Sequence, residues 1–338
     1  MKVTNGDDAR RRRPQHGAAV WRTADVAGDN SWRITLDETQ RATIVDAARR
    51  AVAVGAPLHS VTAQTFPLAG MEADLERWSS ALGSGRGFLL IQDFPVDLLD
   101  EHETEVAYLG LGAHLGTPVG QNSEGELITH VRDERLPASA GTVRRYRTRQ
   151  RQDFHTDAAD IIGLLCLDRA RQGGQSKLAS SWAIYNAMLE QRPDLLDALY
   201  APVGWDRQGD VPAGQAPWFL LPPLSDVSGA PRLFYVGWYI RDAQQHPDAP
   251  RLDEQQLEAM DMLERLANDP TFHLEMDFRP GDVQLINNGR ILHAREAYED
   301  HADPARRRHL LRLWLAAHRF QSLEQGLRGG IAPAGRPS

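Results

Sequence analysis

One stretch of the sequence, residues 279–296, constrains the fold more than any other. It reads RPGDVQLINNGRILHARE: a Pro-Gly-Asp turn, an apolar run, an Asn-Asn-Gly turn and a second apolar run. Turn residues between short apolar runs predict a β-hairpin. The neighbouring segments 272–278 and 307–318 also predict short strands separated by turns. Many short strands in the last third of the chain favour a β-sandwich or jelly roll.

The first half of the chain and one later segment show helical periodicity. Amphipathic patterns predict helices at 37–55, 70–85, 100–116 and 253–269. Apolar runs predict buried strands within 85–95 and at 161–167, and the run PRLFYVGWYIRDAQ predicts a strand within 231–244. We therefore expect one α+β domain over residues 31–322, built around a jelly roll, with flexible tails at 1–30 and 323–338.

Composition excludes some broad classes of function. The 338 residues carry a formal net charge of −8, which argues against a general role on nucleic acid or a membrane surface. No apolar run approaches the roughly 20 residues that span a bilayer. The N-terminal residues have no hydrophobic signal core, so we expect a cytoplasmic protein. Cys166 is the one cysteine, and its apolar neighbours favour a core position over a nucleophile.

A histidine and an aspartate stand two positions apart just before the strand at 161–167. In DFHTDAADIIGLLCL, His155 and Asp157 would point to the same side of an extended segment. An imidazole nitrogen and a carboxylate oxygen could then converge on one point. Taken alone, the pair is equally compatible with exposed polar groups at a strand edge.

His293, near the exit of the predicted hairpin, completes two histidines and one carboxylate. This is the ligand set of a facial triad on Fe(II), which leaves open positions for substrates and oxygen. Zinc accepts the same three ligands, so the triad leaves the metal undecided. We interpret three polar residues near His293 either as hydrogen-bonding supports of its side chain or as turn residues: Asn287, Asn288 and Arg295.

Two arginines follow on an apolar strand. In RRRHLLRLWL, Arg308 and Arg312 are four positions apart, so both guanidinium groups point to one face of the strand. Guanidinium groups among leucines are costly to bury without anions, and they bind carboxylates in a bidentate fork. The pair therefore favours a dicarboxylic acid as ligand, although two surface arginines would give the same pattern.

Jointly, these motifs resemble the iron(II)/2-oxoglutarate dioxygenases of the taurine dioxygenase-like family (TauD/TfdA), with features of its clavaminate synthase-like branch. The similarity extends from about Gly87 to Leu315, most of the chain. It implies a double-stranded β-helix, and it implies Fe(II), 2-oxoglutarate and O2 as cofactor and cosubstrates. The expected metal ligands and catalytic residues are His155, Asp157 and His293.

The resemblance also implies a cosubstrate site. Arg308 is expected to clamp 2-oxoglutarate, with Ser176 of GGQS assisting; the family more often has threonine at this position. Arg312 is expected either to support the cosubstrate or to bind a substrate carboxylate or sulfonate. Gln121 and Asn122 are candidate substrate residues, and they stand where taurine dioxygenase has a histidine, which argues against taurine itself.

The predicted reaction is oxidation of an unactivated C–H bond in a small, carboxylate-bearing metabolite such as an amino acid or a natural-product intermediate, with release of succinate and CO2. Because the chain keeps a carboxylate at Asp157, hydroxylation, desaturation or cyclisation is favoured over halogenation. Trp238 and Tyr239 are either pocket or core residues. A metal-dependent hydrolase and a non-catalytic binding protein remain as alternatives, and the oligomeric state is left undecided.

Overall fold

The computed structural model describes residues 12–55, 57–122, 124–135 and 145–321. In this part of the chain the α-helices are α1 (Thr23–Ala27), α2 (Glu38–Ala53), α3 (Glu72–Gly83), α4 (Glu101–Ala113), α5 (Ser181–Gln191), α6 (Pro193–Ala198), α7 (Gly237–Ala243) and α8 (Glu254–Asn268). None of these helices is long and apolar enough to cross a membrane.

The strands are mostly short and become frequent after residue 150. They are β1 (Arg33–Thr35), β2 (Phe88–Gln92), β3 (Gly116–Pro118), β4 (Ile128–Val131), β5 (Gln152–His155), β6 (Ile161–Asp168), β7 (Gln172–Gly173), β8 (Ser176–Ser180), β9 (Val203–Asp206), β10 (Trp218–Leu221), β11 (Leu224–Val227), β12 (Ala230–Leu233), β13 (His273–Met276), β14 (Val283–Asn287), β15 (Ile291–Arg295), β16 (Tyr298–Glu299) and β17 (His309–Ala317). The two strands of the predicted hairpin are present as β14 and β15, but the hairpin itself is wrong, because β14 pairs with β2 and β6 and β15 pairs with β5 and β8.

Two sheets form the core of the domain. The larger has the order β1-β2-β14-β6-β17-β3, with β4 also paired to β17, and the smaller has the order β13-β8-β15-β5. The turn after β14 links them, because β14 belongs to the larger sheet and β15 to the smaller. Side chains of both sheets, including Phe88, Ile286, Ile291 and Leu310, form one buried cluster between them. This arrangement confirms the predicted jelly roll.

Helices cover the outer faces of both sheets. Ile44 of α2, Trp78 of α3 and Val106 of α4 belong to the same buried cluster as Leu311 and Leu313 of β17. Helices α5, α6 and α8 cover the smaller sheet through a second cluster. Three of the four predicted long helices begin at a capping aspartate, whose side chain accepts a hydrogen bond from the third helical N–H: Asp37, Asp100 and Asp253.

The expected strand within 231–244 is only partly correct. Strand β12 ends at Leu233, and α7 begins at Gly237. Aromatic and β-branched residues favour strands, yet Ile240 and Ala243 lie three residues apart and are both fully buried. The helix buries them on one face, and this packing outweighs local preference.

The expectation of a flexible tail up to residue 30 is also wrong for the described residues 12–30. Trp21 is 2% exposed, its Nε1–H donates to the carbonyl of Arg86 at 3.0 Å, and its ring lies 5.1 Å from that of Phe88. Val26 is fully buried as well. The two apolar side chains hold this segment against the larger sheet. Residues 1–11 and 323–338 of the predicted tails lie outside the described residues.

Replacing Trp21 with alanine should lower the free energy of unfolding by about 3 kcal/mol or more, because a large buried side chain and its cavity are involved. Urea unfolding followed by circular dichroism measures the change. Leu220→Ala is the control, since Leu220 is 52% exposed and should change stability little. Equal effects of the two substitutions would mean that the Trp21 segment does not contribute to the core.

Candidate metal centre and anion pocket

His155, Asp157 and His293 come together at one end of the space between the sheets. One ligand atom from each residue lies within 4.8 Å of the others. The Nε2 of His155 is 4.0 Å from Oδ1 of Asp157, and the Nε2 of His293 is 3.8 Å from Oδ2 of the same carboxylate. In the described part of the chain, this is the one cluster of its kind. The three predicted ligands thus surround a point that a metal ion can occupy.

The two histidines lie on neighbouring strands, while the aspartate does not lie on a strand. His293 of β15 pairs directly with His155, the last residue of β5. Asp157 lies two residues past His155, in the connection between β5 and β6. Its carboxylate and the His155 imidazole converge on one point, as expected from the sequence.

His155 is oriented for metal binding by its own backbone. Its Nδ1 lies 2.8 Å from the carbonyl oxygen of Asp153. A carbonyl only accepts, so Nδ1 carries the hydrogen and Nε2 presents its lone pair to the cluster. Burial lowers the pKa of His155, which favours the neutral form that binds metals.

His293 lacks the contacts of a purely structural histidine. Its Nδ1 is buried and has no hydrogen-bond partner in the described part of the chain. Burial, and then the nearby His155, lower the pKa of His293 to about 3. A buried, neutral imidazole with an unpaired nitrogen is unusual, because buried polar atoms are normally satisfied. The nitrogen that faces Asp157 is Nε2, and a neutral imidazole can offer that nitrogen to a metal ion.

Asp157 is held by two donors on β17. Nη1 of Arg312 and Nε1 of Trp314 donate to its Oδ2 at 3.3 and 3.2 Å. Burial by itself raises the pKa of Asp157, but Arg312 and the two histidines outweigh it, so the pKa is lowered. The carboxylate is therefore ionised, and Oδ1 faces His155.

The loop that carries Asp157 is fixed by the turn between β14 and β15. Asn288 accepts from the backbone N–H of Asp157 at 2.9 Å, and its Nδ2 donates to the carbonyls of Asp157 and Ala159. Asn288 therefore positions the carboxylate loop and makes no contact with His293. Asn287 instead donates to the carbonyl of Leu82 at 3.0 Å. The sequence pattern did not indicate either role.

Arg312 is clamped from the other side by Gln121. Nε of Arg312 donates to Oε1 of Gln121 at 2.8 Å, and the Gln121 amide donates to the carbonyls of Arg312 and Leu127. Both ends of the Gln121 side chain are thus engaged within the protein. The side chain of Asn122 donates to Glu126 at 2.7 Å. Both residues line the cleft described below, and their contact with substrate stays a prediction.

Arg308 is the residue before β17, and its side chain lines the interior beside Arg312 and the two metal-cluster histidines. Leu310 and Trp314 of β17 point to the same interior, while Leu311 and Leu313 contact the covering helices. Arg308 is 4% exposed, and its Nη1 has no hydrogen-bond partner in the described part of the chain. Burial lowers its pKa. The side chain fits an anion that the protein itself does not supply.

A small cavity of about 30 Å³ connects these arginines to the cluster. It is lined by both metal-cluster histidines and by Ser176, Arg295, Arg308 and Arg312, and no acidic side chain lines it. The hydroxyl of Ser176 lies 3.2 and 3.1 Å from the amide oxygen and nitrogen of Gln284. Gln284, which the sequence analysis did not single out, therefore orients Ser176.

A larger cleft of about 470 Å³ opens on the other side of His155 and Asp157. Aromatic residues form much of its wall, and basic and acidic side chains are also present: Tyr146, Phe234, Trp238, Tyr239, Trp314, Arg145, Arg147, Asp210 and Asp242. Trp238 contacts His155 edge-on with ring centroids 5.1 Å apart. Both Trp238 and Tyr239 thus line the cleft, although they lie on α7 and not on a strand.

Known proteins of one dioxygenase family are similar to this protein along most of its chain. The sequence profile of the "Taurine catabolism dioxygenase TauD, TfdA family" matches residues 54–314. FR-33289 synthase of Streptomyces rubellomurinus is 31% identical over 339 residues, which cover 97% of this chain and 98% of that protein. The taurine hydroxylase-like protein SAT17 of Stachybotrys chartarum is 29% identical, with 87% and 77% covered.

Solved structures share the fold. Asparagine oxygenase, solved with Fe(II), hydroxyasparagine and succinate, has a TM-score of 0.63 at 19% identity and covers 84% of this chain and 93% of its own. The non-heme iron oxygenase OrfP, solved with Fe and alpha-ketoglutaric acid, has a TM-score of 0.62 at 17% identity with the same coverage.

Proposed function

Because the chain belongs to the TauD/TfdA family and is an Fe(II)- and 2-oxoglutarate-dependent dioxygenase of small metabolites, we propose that it hydroxylates an unactivated C–H bond of a carboxylate-bearing metabolite. Succinate and CO2 are the coproducts. Desaturation or cyclisation by the same oxidant is the variant outcome. The observation that carries the proposal is the His155–Asp157–His293 cluster beside a buried arginine cavity without acidic groups.

His155, Asp157 and His293 would hold Fe(II) on one face, through two neutral imidazoles and one carboxylate. Bound Fe(II) supplies the redox chemistry that couples O2 and 2-oxoglutarate to oxidation of a C–H bond. The residues of the chain set the geometry: the backbone of Asp153 fixes the tautomer of His155, and Arg312 and Trp314 fix Asp157. Retention of this carboxylate supports hydroxylation over halogenation.

The small cavity would receive the distal carboxylate of 2-oxoglutarate. Arg308 supplies for it a buried guanidinium group whose Nη1 has no hydrogen-bond partner in the described residues, and the hydroxyl of Ser176 lines the same cavity. The remainder of the cosubstrate then reaches toward the metal cluster, because both of its histidines line the same cavity.

The primary substrate would occupy the larger cleft beside His155 and Asp157. Mixed basic, acidic and aromatic walls suit a small metabolite with a carboxylate, such as an amino acid or a natural-product intermediate. Gln121 and Asn122 lie at this cleft. Since Gln121 and Asp157 already engage Arg312, we assign Arg312 to orienting Asp157, with its outer face available to substrate.

A cytoplasmic setting fits this chemistry. A reducing compartment keeps iron as Fe(II), and the single buried thiol of Cys166 needs no disulfide partner.

The test is a substrate screen of the protein loaded anaerobically with Fe(II). Pools of amino acids, small carboxylates and peptide-tethered intermediates are added with 2-oxoglutarate and O2, and succinate and oxidised product are quantified by mass spectrometry. We expect one pool to raise succinate formation well above the substrate-free rate. Omission of 2-oxoglutarate should abolish the product; a product that forms without it would contradict the proposal.

A further inference from the structure

Arg295 has no part in the function described so far. It lies two residues after His293 on β15, so both side chains point to the same face of the strand. Arg295 is 6% exposed and lines the small cavity. Its Nη2 donates to the carbonyl of Gln150, whereas its Nε and Nη1 are buried without a hydrogen-bond partner in the described residues.

Arg295 and Arg308 converge on one aromatic ring. Their guanidinium carbons lie 5.1 and 5.0 Å from the ring centroid of Tyr298, whose hydroxyl is also buried and unpaired in the described part of the chain. Two buried cations held this close are unfavourable unless an anion lies between them.

The lining of the cavity has the polarity for such an anion. Arg295 pairs with Ser176 across β15 and β8, and both residues line the cavity together with Arg308. A carboxylate has two oxygens with about four acceptor positions, enough for two guanidinium groups. Since no acidic side chain lines the cavity, the carboxylate must come from a ligand.

We propose that Arg295 is a second carboxylate-binding arm of the cosubstrate site, which grips the distal carboxylate of 2-oxoglutarate together with Arg308. This inference rests on the proposed function, because it takes 2-oxoglutarate as the ligand of the cavity. It assigns to Arg295 a direct contact with the cosubstrate and no role in supporting His293.

The test compares two ligands that differ only at the distal end. Affinities of 2-oxoglutarate and of 2-oxopentanoate, which lacks the distal carboxylate, are measured by calorimetry with Mn(II) in place of Fe(II), so that no turnover occurs. Loss of a hydrogen-bonded charged contact in Arg295→Met should weaken 2-oxoglutarate roughly tenfold to hundredfold and 2-oxopentanoate less than about twofold.

Arg232→Met is the matched control. Arg232 is also 6% exposed, its Nε is also buried without a partner in the described residues, and it also lies over an aromatic ring, that of Trp182 at 5.4 Å. It does not line the cavity. We expect this substitution to leave both affinities unchanged.

Other outcomes overturn the inference. Equal weakening of both ligands by Arg295→Met would show that Arg295 only maintains the pocket, and unchanged affinities would show that it does not contact the carboxylate. If thermal unfolding shows that the methionine variant does not fold, Arg295→Lys replaces it: the charge remains but the fork is lost, so a several-fold weakening confined to 2-oxoglutarate is expected. Failure of the wild-type protein to bind 2-oxoglutarate would instead contradict the proposed function.

Discussion

We expect the His293→Ala protein to fold normally and to lose all Fe(II)-dependent turnover of 2-oxoglutarate. His293 is one of three side chains around the proposed metal position, and its buried Nδ1 bonds to nothing else in the described residues. Removing it leaves one histidine and one carboxylate, too few ligands to hold Fe(II) on one face. His155→Ala should have the same effect. Succinate formation and iron content after gel filtration measure the loss.

His273→Ala is the matched control. His273 is a buried histidine of the smaller sheet, 6% exposed, and its Nδ1 donates to the carbonyl of Ala267 at 3.0 Å. The control should retain iron and turnover, although its stability falls. Near-normal iron content and turnover in both His155→Ala and His293→Ala would contradict the assignment of the metal centre.

The second large effect is expected at Arg308. Truncating one partner of a buried, hydrogen-bonded charge pair costs about 2–5 kcal/mol, much of it the cost of leaving the other charge unpaired. Arg308→Ala should therefore weaken 2-oxoglutarate roughly thirtyfold or more. Substrate affinity should change less, because Arg308 lines the small cavity and not the larger cleft. Calorimetric titration of each ligand measures the two effects separately.

Arg306→Ala provides the control, since Arg306 is exposed two residues earlier and carries the same charge. Arg308→Lys should be intermediate, because lysine keeps the charge without the bidentate geometry. If the Arg308→Ala protein binds 2-oxoglutarate like the wild type, Arg308 is not the residue that binds the distal carboxylate, and Arg312 or Arg295 has that role.

Local patterns predicted the parts of the fold that depend on near neighbours. The turn residues around Asn288 place β14 and β15 correctly, although the two strands pair in different sheets and form no hairpin. The four-residue spacing of Arg308 and Arg312 agrees with both lining one cavity. The start of α7 at Gly237 could not be predicted in this way, because it depends on the burial of Ile240 against distant segments. The packing of Trp21 depends on a partner strand about 65 residues away in sequence, as its bond to Arg86 shows.

In the candidate site, too, some residues could be predicted from their near neighbours in the sequence and others could not. Residue type and spacing were enough to predict that His155, Asp157 and His293 come together. The role of Arg308 as the clamp of 2-oxoglutarate stays a prediction. The roles of Asn288, Gln284 and Arg295 depend on which strands pair and in which register, as with Arg295 opposite Ser176. Spacing along one segment carries no information on such pairings, so these residues were either missed or assigned to the wrong neighbour.

The attachment of the three metal-cluster residues has a mechanical consequence. His155 and His293 are held opposite each other by a β-ladder. Asp157 lies between two strands and is held by the side chains of Asn288, Arg312 and Trp314. The imidazoles are therefore fixed by strand register, and the carboxylate by individual side-chain hydrogen bonds. A substitution at position 157 alters those hydrogen bonds and leaves the register of both sheets unchanged.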